Sequence, residues 1–91
     1  MIYEILQIGA ENAISRRALC SMLDMTDRDL RRQVSVERRA GRPILTDTET
    51  NGYYLPSNPK DVERFVRSMR NRAKQTTLIA DSVEKSIEEG R

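Results

Sequence analysis

The strongest structural signals of this chain lie in residues 15–43, which read SRRALCSMLDMTDRDLRRQVSVERRAGRP. Ser15 is a good N-cap for a short helix whose apolar residues recur at helical spacing. Thr26, followed by an acidic residue at Asp29, predicts the start of a second helix only a few residues later. Gly41, with a proline two residues beyond it, is typical of the end of that helix. Two helices joined by so short a turn are the layout of a helix-turn-helix.

The segments around this stretch predict a fold that is mainly α with a small β component (α+β). Residues 2–8 place apolar side chains at helical spacing and end before a glycine, which predicts a short first helix. Two β-prone runs, 44–46 and 53–55, are separated by polar residues that end in Asn51-Gly52. Because Asn-Gly favours tight hairpin turns, we expect a two-stranded hairpin after the second helix of the helix-turn-helix.

A long last helix is predicted from residue 59 to residue 89, because Asn58 and Pro59 supply an N-cap and a first-turn proline. Such a helix would be about 45 Å long, more than a small body can cover. From Val62 onward its apolar and small residues follow the alternating spacing of a coiled-coil seam. We expect the seam to form a homodimer, parallel or antiparallel, unless only its first turns pack on the body and the rest frays. The residues expected at the dimer contact are Val66, Met69, Ala73, Thr76, Ala80, Val83 and Ile87.

The composition of the 91 residues argues against an enzyme. Histidine is absent, which removes the commonest general base and the usual zinc ligand. The single cysteine cannot form an intramolecular disulfide, and no apolar run approaches the roughly 20 residues of a membrane span. The first residues also lack the basic segment of a secretion signal. We therefore expect a cytoplasmic protein without catalytic residues, metal, cofactor or membrane partner.

Positive charge is concentrated in two segments, 16–42 and 60–74, each with a net charge of +4 in a chain whose total is only +2. On a helical wheel, Leu30 and Val34 share the apolar face of the second helix of the helix-turn-helix. A merely solvated face would usually mix acids with lysines, whereas the opposite face here is cationic. That face, called the arginine face below, consists of Arg28, Arg31, Arg32, Ser35 and Arg39.

The sequence resembles the winged helix-turn-helix of the biotin-repressor type. The resemblance lies in residues 14–20, 26–31, Gly41 and 52–55, and it covers 14–55 of the chain. It implies a winged helix-turn-helix with a two-stranded wing. Taken with the elements predicted on either side, we expect a winged helix-turn-helix domain over residues 1–58, followed by the long helix, for packing or dimerisation, over 59–91. The sequence also resembles small prophage-encoded proteins of Gram-positive bacteria. In such a domain the second helix of the motif enters the major groove of double-stranded DNA. The resemblance thus implies base or phosphate contacts for Arg16, Arg17, Arg28, Arg31, Arg32, Ser35 and Arg39.

Two functions are consistent with these patterns. The first is sequence-specific binding of double-stranded DNA by a small regulator, with the arginine face in the major groove. The second is a phage-type protein-interaction module that inhibits or recruits a host or nuclease component through the same basic face. The loop of the predicted wing carries Asp47 and Glu49 but no Lys or Arg, so we do not expect the wing to contact phosphate.

Overall fold

The computed structural model describes residues 1–89 and contains three α-helices and a two-stranded antiparallel sheet. This architecture confirms the mainly helical fold, the small sheet and the long last helix that the sequence predicts. The final two residues of the segment 59–91 lie outside the described residues. In chain order the elements are α1 (Arg16–Leu23), α2 (Asp27–Arg39), β1 (Leu45–Thr46), β2 (Tyr53–Tyr54) and α3 (Pro59–Glu88), preceded by two single 3₁₀ turns, Tyr3–Ile5 and Ala10–Asn12.

The structure confirms the three predicted N-caps, so the helices begin where the sequence predicts. The Ser15 hydroxyl accepts a hydrogen bond from the backbone N–H of Ala18 at 3.1 Å. The Thr26 hydroxyl accepts one from the N–H of Asp29, also at 3.1 Å, and the Asn58 side chain caps α3 in the same way. Each cap satisfies a backbone donor that has no partner within its own helix.

The turn between α1 and α2 is short because Asp24 adopts a left-handed conformation, with φ of 52°. This residue ends α1, and the N–H of Met25 then reaches back to the carbonyl of Cys20 at 3.0 Å. At the far end of α2, Gly41 has φ of 95°, a conformation that glycine adopts without steric cost. The glycine stop predicted from the sequence is thereby confirmed.

The prediction of a first helix over residues 2–8 is wrong. Only Tyr3–Ile5 forms a helical turn, and the chain then extends along the end of the hairpin. The carbonyl of Gln7 accepts the N–H of Leu55 at 2.8 Å, and the N–H of Gly9 donates to the carbonyl of Leu55 at 2.9 Å. Pairing with a distant segment therefore takes the backbone groups that a helix would have used.

A further bridge joins the start of the helix-turn-helix to the sheet. Ile14 and Tyr53 exchange two backbone hydrogen bonds of 2.9 and 3.0 Å. The neighbouring Gly52 is buried, and a Cβ built on it would lie 2.6 Å from the Ile14 carbonyl oxygen. The absence of a side chain at Gly52 thus allows the two backbones to approach. Because Ile14 directly precedes Ser15, the N-cap of α1, the bridge holds the start of that helix against the hairpin.

The hairpin is confirmed, but its turn is wider than Asn51-Gly52 alone suggests. Its loop is closed by Asp47, whose carboxylate accepts the N–H and the hydroxyl of Thr50 at 3.2 and 2.7 Å. Asn51 is left-handed, with φ of 58°, whereas Gly52 is not among the residues with positive φ. The loop is therefore shaped by an acidic cap followed by a single left-handed asparagine.

The core lies between the 3₁₀ turn at the start of the chain, the two short helices and the hairpin. Leu30 and Val34 bring α2 into it, as the helical wheel predicts. Tyr53 enters from β2, which pairs with β1 in the register Leu45↔Tyr54 and Thr46↔Tyr53. The buried cluster consists of Ile2, Leu6, Leu19, Leu30, Val34, Ile44 and Tyr53.

Only the beginning of α3 packs on this core. Val62, Phe65 and Val66 are half-buried, whereas every residue from 67 to 85 is exposed. We call residues 1–66 the body and residues 67–89 the projecting helix. The molecule measures 52 × 31 × 25 Å, and the long dimension reflects a helix of about 45 Å. No helix within residues 1–89 is both long and apolar enough to cross a membrane.

Candidate nucleic-acid interface

The arginine face is exposed along the whole of α2. Leu30 and Val34, on the opposite side of the helix, are 0% and 1% exposed, so the orientation of α2 is fixed by the core. The helix therefore presents one line of side chains to solvent over three turns. All five of its predicted members are exposed: Arg28, Arg31, Arg32, Ser35 and Arg39.

Glu37, a residue that the sequence did not mark as important, holds α2 from behind. It is 7% exposed, and its carboxylate accepts the backbone N–H groups of Ile2 and Tyr3 at 2.9 and 2.8 Å. The amide of Gln33 donates to the same carboxylate at 2.8 Å. The start of the chain is thus tied to the helix that carries the arginine face. A signal was present in the sequence, because Glu37 lies on the same side of the wheel as Leu30.

The protonation of Glu37 reflects these contacts. Burial acts to raise its pKa, but the donors of Ile2, Tyr3 and Gln33 favour the charged form and lower the pKa to about 2. At neutral pH the residue is therefore a carboxylate with several hydrogen-bond donors around it. The charge of Glu37 lies on the core side of α2, and no ion pair within residues 1–89 joins it to a member of the arginine face.

Arg38, next to Glu37 in the chain, joins α2 to the hairpin and to α3. Its guanidinium donates to the carbonyl of Ile44 at 2.8 Å and to the hydroxyl of Thr46 at 2.9 Å. It also lies over the ring of Phe65, 4.8 Å from the centroid, and 5.8 Å from the centroid of Tyr53. Burial lowers the pKa of Arg38. This arginine is a structural link, and no local pattern in α2 distinguishes it from its exposed neighbours.

Asp27 connects the first turns of α1 and α2. Its carboxylate lies 3.2 Å from Nε of Arg16 and 3.8 Å from a terminal nitrogen of Arg31. Arg16, predicted to contact phosphate, is thereby oriented along the junction of the two helices and keeps 35% of its side chain exposed. Arg17 is exposed beside it. The structure thus brings Arg16 and Arg31 together around one acid.

The remaining cations of the predicted site have no acidic partner among the described residues. No ion pair in residues 1–89 involves Arg17, Arg28, Arg32 or Arg39. Four uncompensated guanidinium groups on adjoining helices create a positive potential that attracts an anionic ligand. Since a guanidinium can bind a phosphate or a guanine edge in a bidentate manner, this chemistry suits a nucleic acid.

The loop of the hairpin lies beside α1. Thr50 and Asn51 line a cleft together with Arg16 and Arg17, so the tip of the hairpin borders the basic N-terminal turn of α1. Glu49, one of the two acids predicted to keep the loop away from phosphate, is exposed. The acid that lines the cleft itself is Asp27 of α2.

The sequence comparisons and the fold comparison give no relative to place beside this geometry. No family model, no curated protein and no solved structure matches the chain.

Proposed function

We propose that this chain is a winged helix-turn-helix protein that binds double-stranded DNA in a sequence-specific manner and performs no catalysis. The observation that carries the proposal is the exposed arginine face on α2. The face lies on the second helix of a helix-turn-helix, which is the element that enters the major groove in proteins of this layout. Exposure, uniform charge sign and position in the motif coincide at the same residues.

The arrangement of the body supports the winged-helix part of the proposal. Two helices with a tight turn are followed by an antiparallel hairpin, and the hairpin is bonded to Ile14, two residues before α1. In this interpretation α2 is the recognition helix and residues 45–54 are the wing. The first helix of the domain is reduced to the single turn Tyr3–Ile5.

In the proposed complex the arginines have two tasks. Arg28, Arg32 and Arg39 lie in the major groove, where each can bind a guanine edge or a neighbouring phosphate. Arg17 lies on the first helix of the motif and contacts only the DNA backbone. Arg16, held by Asp27, orients the backbone contacts of α1. Regulation then follows from occupancy of the DNA site alone.

The first test is a measurement of affinity for duplexes chosen by selection from random sequence. We expect Arg32→Ala to reduce the binding free energy by about 1–3 kcal/mol if Arg32 contacts a base. Lys85→Ala is the matched control, because it removes one exposed cation from the far end of α3 and leaves the arginine face intact. We expect this control to bind nearly as well as the unmodified chain.

The second measurement is the dependence of affinity on salt. Phosphate contacts release counterions, so the affinity should fall steeply as salt increases, and Arg17→Ala should reduce the slope by about one. Absence of binding to any duplex at about 50 mM salt would contradict the proposal. In that case a partner captured through the basic face and not displaced by bulk DNA would favour the protein-interaction alternative.

A further inference from the structure

Helix α3 carries an apolar line, and the part of it on the projecting helix is not covered by any described residue. Val83 and Ile87 are 58% and 68% exposed, and Met69, nearer the body, is 42% exposed. In proteins most of the stability of a helix comes from packing of its apolar face, and exposed apolar side chains add none without a partner. The line therefore indicates a contact that a single copy of the chain does not make.

The spacing along this line is symmetric about its middle. The line consists of eight positions, which are Val62, Val66, Met69, Ala73, Thr76, Ala80, Val83 and Ile87. Successive positions are separated by alternating steps of four and three residues, and the first and last steps are both four. A second copy running in the opposite direction would meet the same pattern, with a two-fold axis between residues 74 and 75. In each pair, one residue comes from one copy and the other from the second copy. The pairs are Val62 with Ile87, Val66 with Val83, Met69 with Ala80, and Ala73 with Thr76.

Charge selects this antiparallel direction over the parallel one. Residues 60–74 contain six Lys and Arg against two acids, whereas residues 75–89 contain four acids against one Lys. Parallel pairing would place the two basic halves side by side and the two acidic halves side by side. Antiparallel pairing places each basic half along an acidic half, which is the favourable arrangement in helical pairs.

The body contains a groove in which the C-terminal end of the partner's α3 can bind. A groove of about 470 Å³ lies between α3 and the start of the hairpin, and the apolar side chains of Pro43, Val66 and Met69 line it. Arg42 and Arg70 also line this groove. In the antiparallel arrangement the Val83–Ile87 end of the partner arrives there, together with its acidic residues. Apolar surface and charge are thus complementary at the same place.

We propose that two copies of this chain pair antiparallel through α3, with the two-fold axis between residues 74 and 75 and the C-terminal end of each helix beside the groove of the other body. The weak central positions, Ala73 and Thr76, allow close approach of the helices but bury little apolar area, so the dimer dissociates at low micromolar concentration and persists at high micromolar concentration. This proposal rests on α3 and the groove alone and does not depend on DNA binding.

Disulfide trapping tests both the pairing and its direction. Two chains, each with Cys20→Ser, carry Met69→Cys and Ala80→Cys respectively and are mixed under mild oxidation. In the antiparallel dimer these positions face each other, whereas the two copies of position 80 lie about 16 Å apart, beyond the reach of a disulfide. We expect the mixed disulfide to exceed either self-disulfide by at least about tenfold.

Asn71→Cys replaces Met69→Cys in the matched control, because position 71 lies on the opposite side of the helix, and we expect the mixed product to be lost. Efficient self-disulfide formation by Ala80→Cys would show parallel pairing and overturn the proposal. Sedimentation of the unmodified chain provides a test without any substitution. A monomer of 10.5 kDa at high micromolar concentration would overturn the proposal as well. Since no measurement here includes DNA, the outcome is separate from that of the DNA-binding test.

Discussion

The body and the projecting helix of this chain are held in shape by different means. In the body, side chains from distant segments meet: Leu30 is fully buried, Glu37 holds the start of the chain, and Arg38 connects three elements. In the projecting helix, residues 67–85 are all exposed, and the helix depends on its own backbone hydrogen bonds. The comparison teaches that the body is stabilised by contacts between distant segments, whereas the projecting helix makes no such contacts within residues 1–89.

The strongest test of this difference is a leucine-to-alanine substitution in each region. Leu30→Ala removes a fully buried side chain from the body, and we expect it to lower the free energy of unfolding by about 2–5 kcal/mol. Leu78→Ala removes a side chain that is 49% exposed on the projecting helix, away from the proposed dimer line, and should change stability by no more than about 0.5 kcal/mol. Denaturant unfolding of the two variants measures both values. Equal losses would show that the projecting helix is packed as tightly as the body.

A second difference between the regions is their response to acid. The pKa of Glu37 is about 2 in the folded chain and 4.5 when unperturbed, so the carboxylate stabilises the body fully above the unfolded value. That stability, of order 3 kcal/mol, is lost as the pH falls from about 5 towards 2. The free energy of unfolding, measured across this pH range, should show the loss. For Glu37→Gln, which cannot titrate at this position, the free energy of unfolding should depend less on pH. Parallel curves for the two proteins would contradict the assigned role of Glu37.

The smallest expected effect concerns which region approaches DNA. Glu49→Lys in the hairpin loop and Glu88→Lys on the projecting helix change the net charge equally. If the body carries the DNA surface, Glu49→Lys should strengthen nonspecific binding modestly and steepen its salt dependence by about one, whereas Glu88→Lys should do less. Asp47 is left unchanged because it closes the loop through Thr50. Equal affinities for the unmodified chain and Glu49→Lys would place the loop away from the DNA.

What the sequence predicted correctly depends on neighbouring residues. Ser15, Thr26 and Asn58 cap helices through residues three positions later, and a local window of sequence contains the whole interaction. The exposure of the arginine face follows in the same way from the positions of Leu30 and Val34 on the wheel. These features are local, so periodicity and capping rules suffice to predict them.

What the sequence did not predict depends on contacts between distant residues. The expected first helix is absent because Gln7 and Gly9 bond to Leu55, nearly fifty positions away. The bridge between Ile14 and Tyr53 and the hydrogen bonds of Arg38 to Ile44 and Thr46 also require the hairpin to be in place. Arg38 carries the same charge as its exposed neighbours, so composition alone overestimates the number of arginines available to a ligand.

The unbroken length of α3 has a geometric consequence for a paired molecule. With the proposed two-fold axis, the points at which the two bodies join their helices, at the two copies of Val62, lie about 37 Å apart along the pair. One turn of the DNA double helix is about 34–36 Å. The helix would then act as a ruler, whose number of residues sets the distance between two half-sites. If both proposals hold, duplexes with half-sites one turn apart are the ligands that the two copies of α2 would contact together.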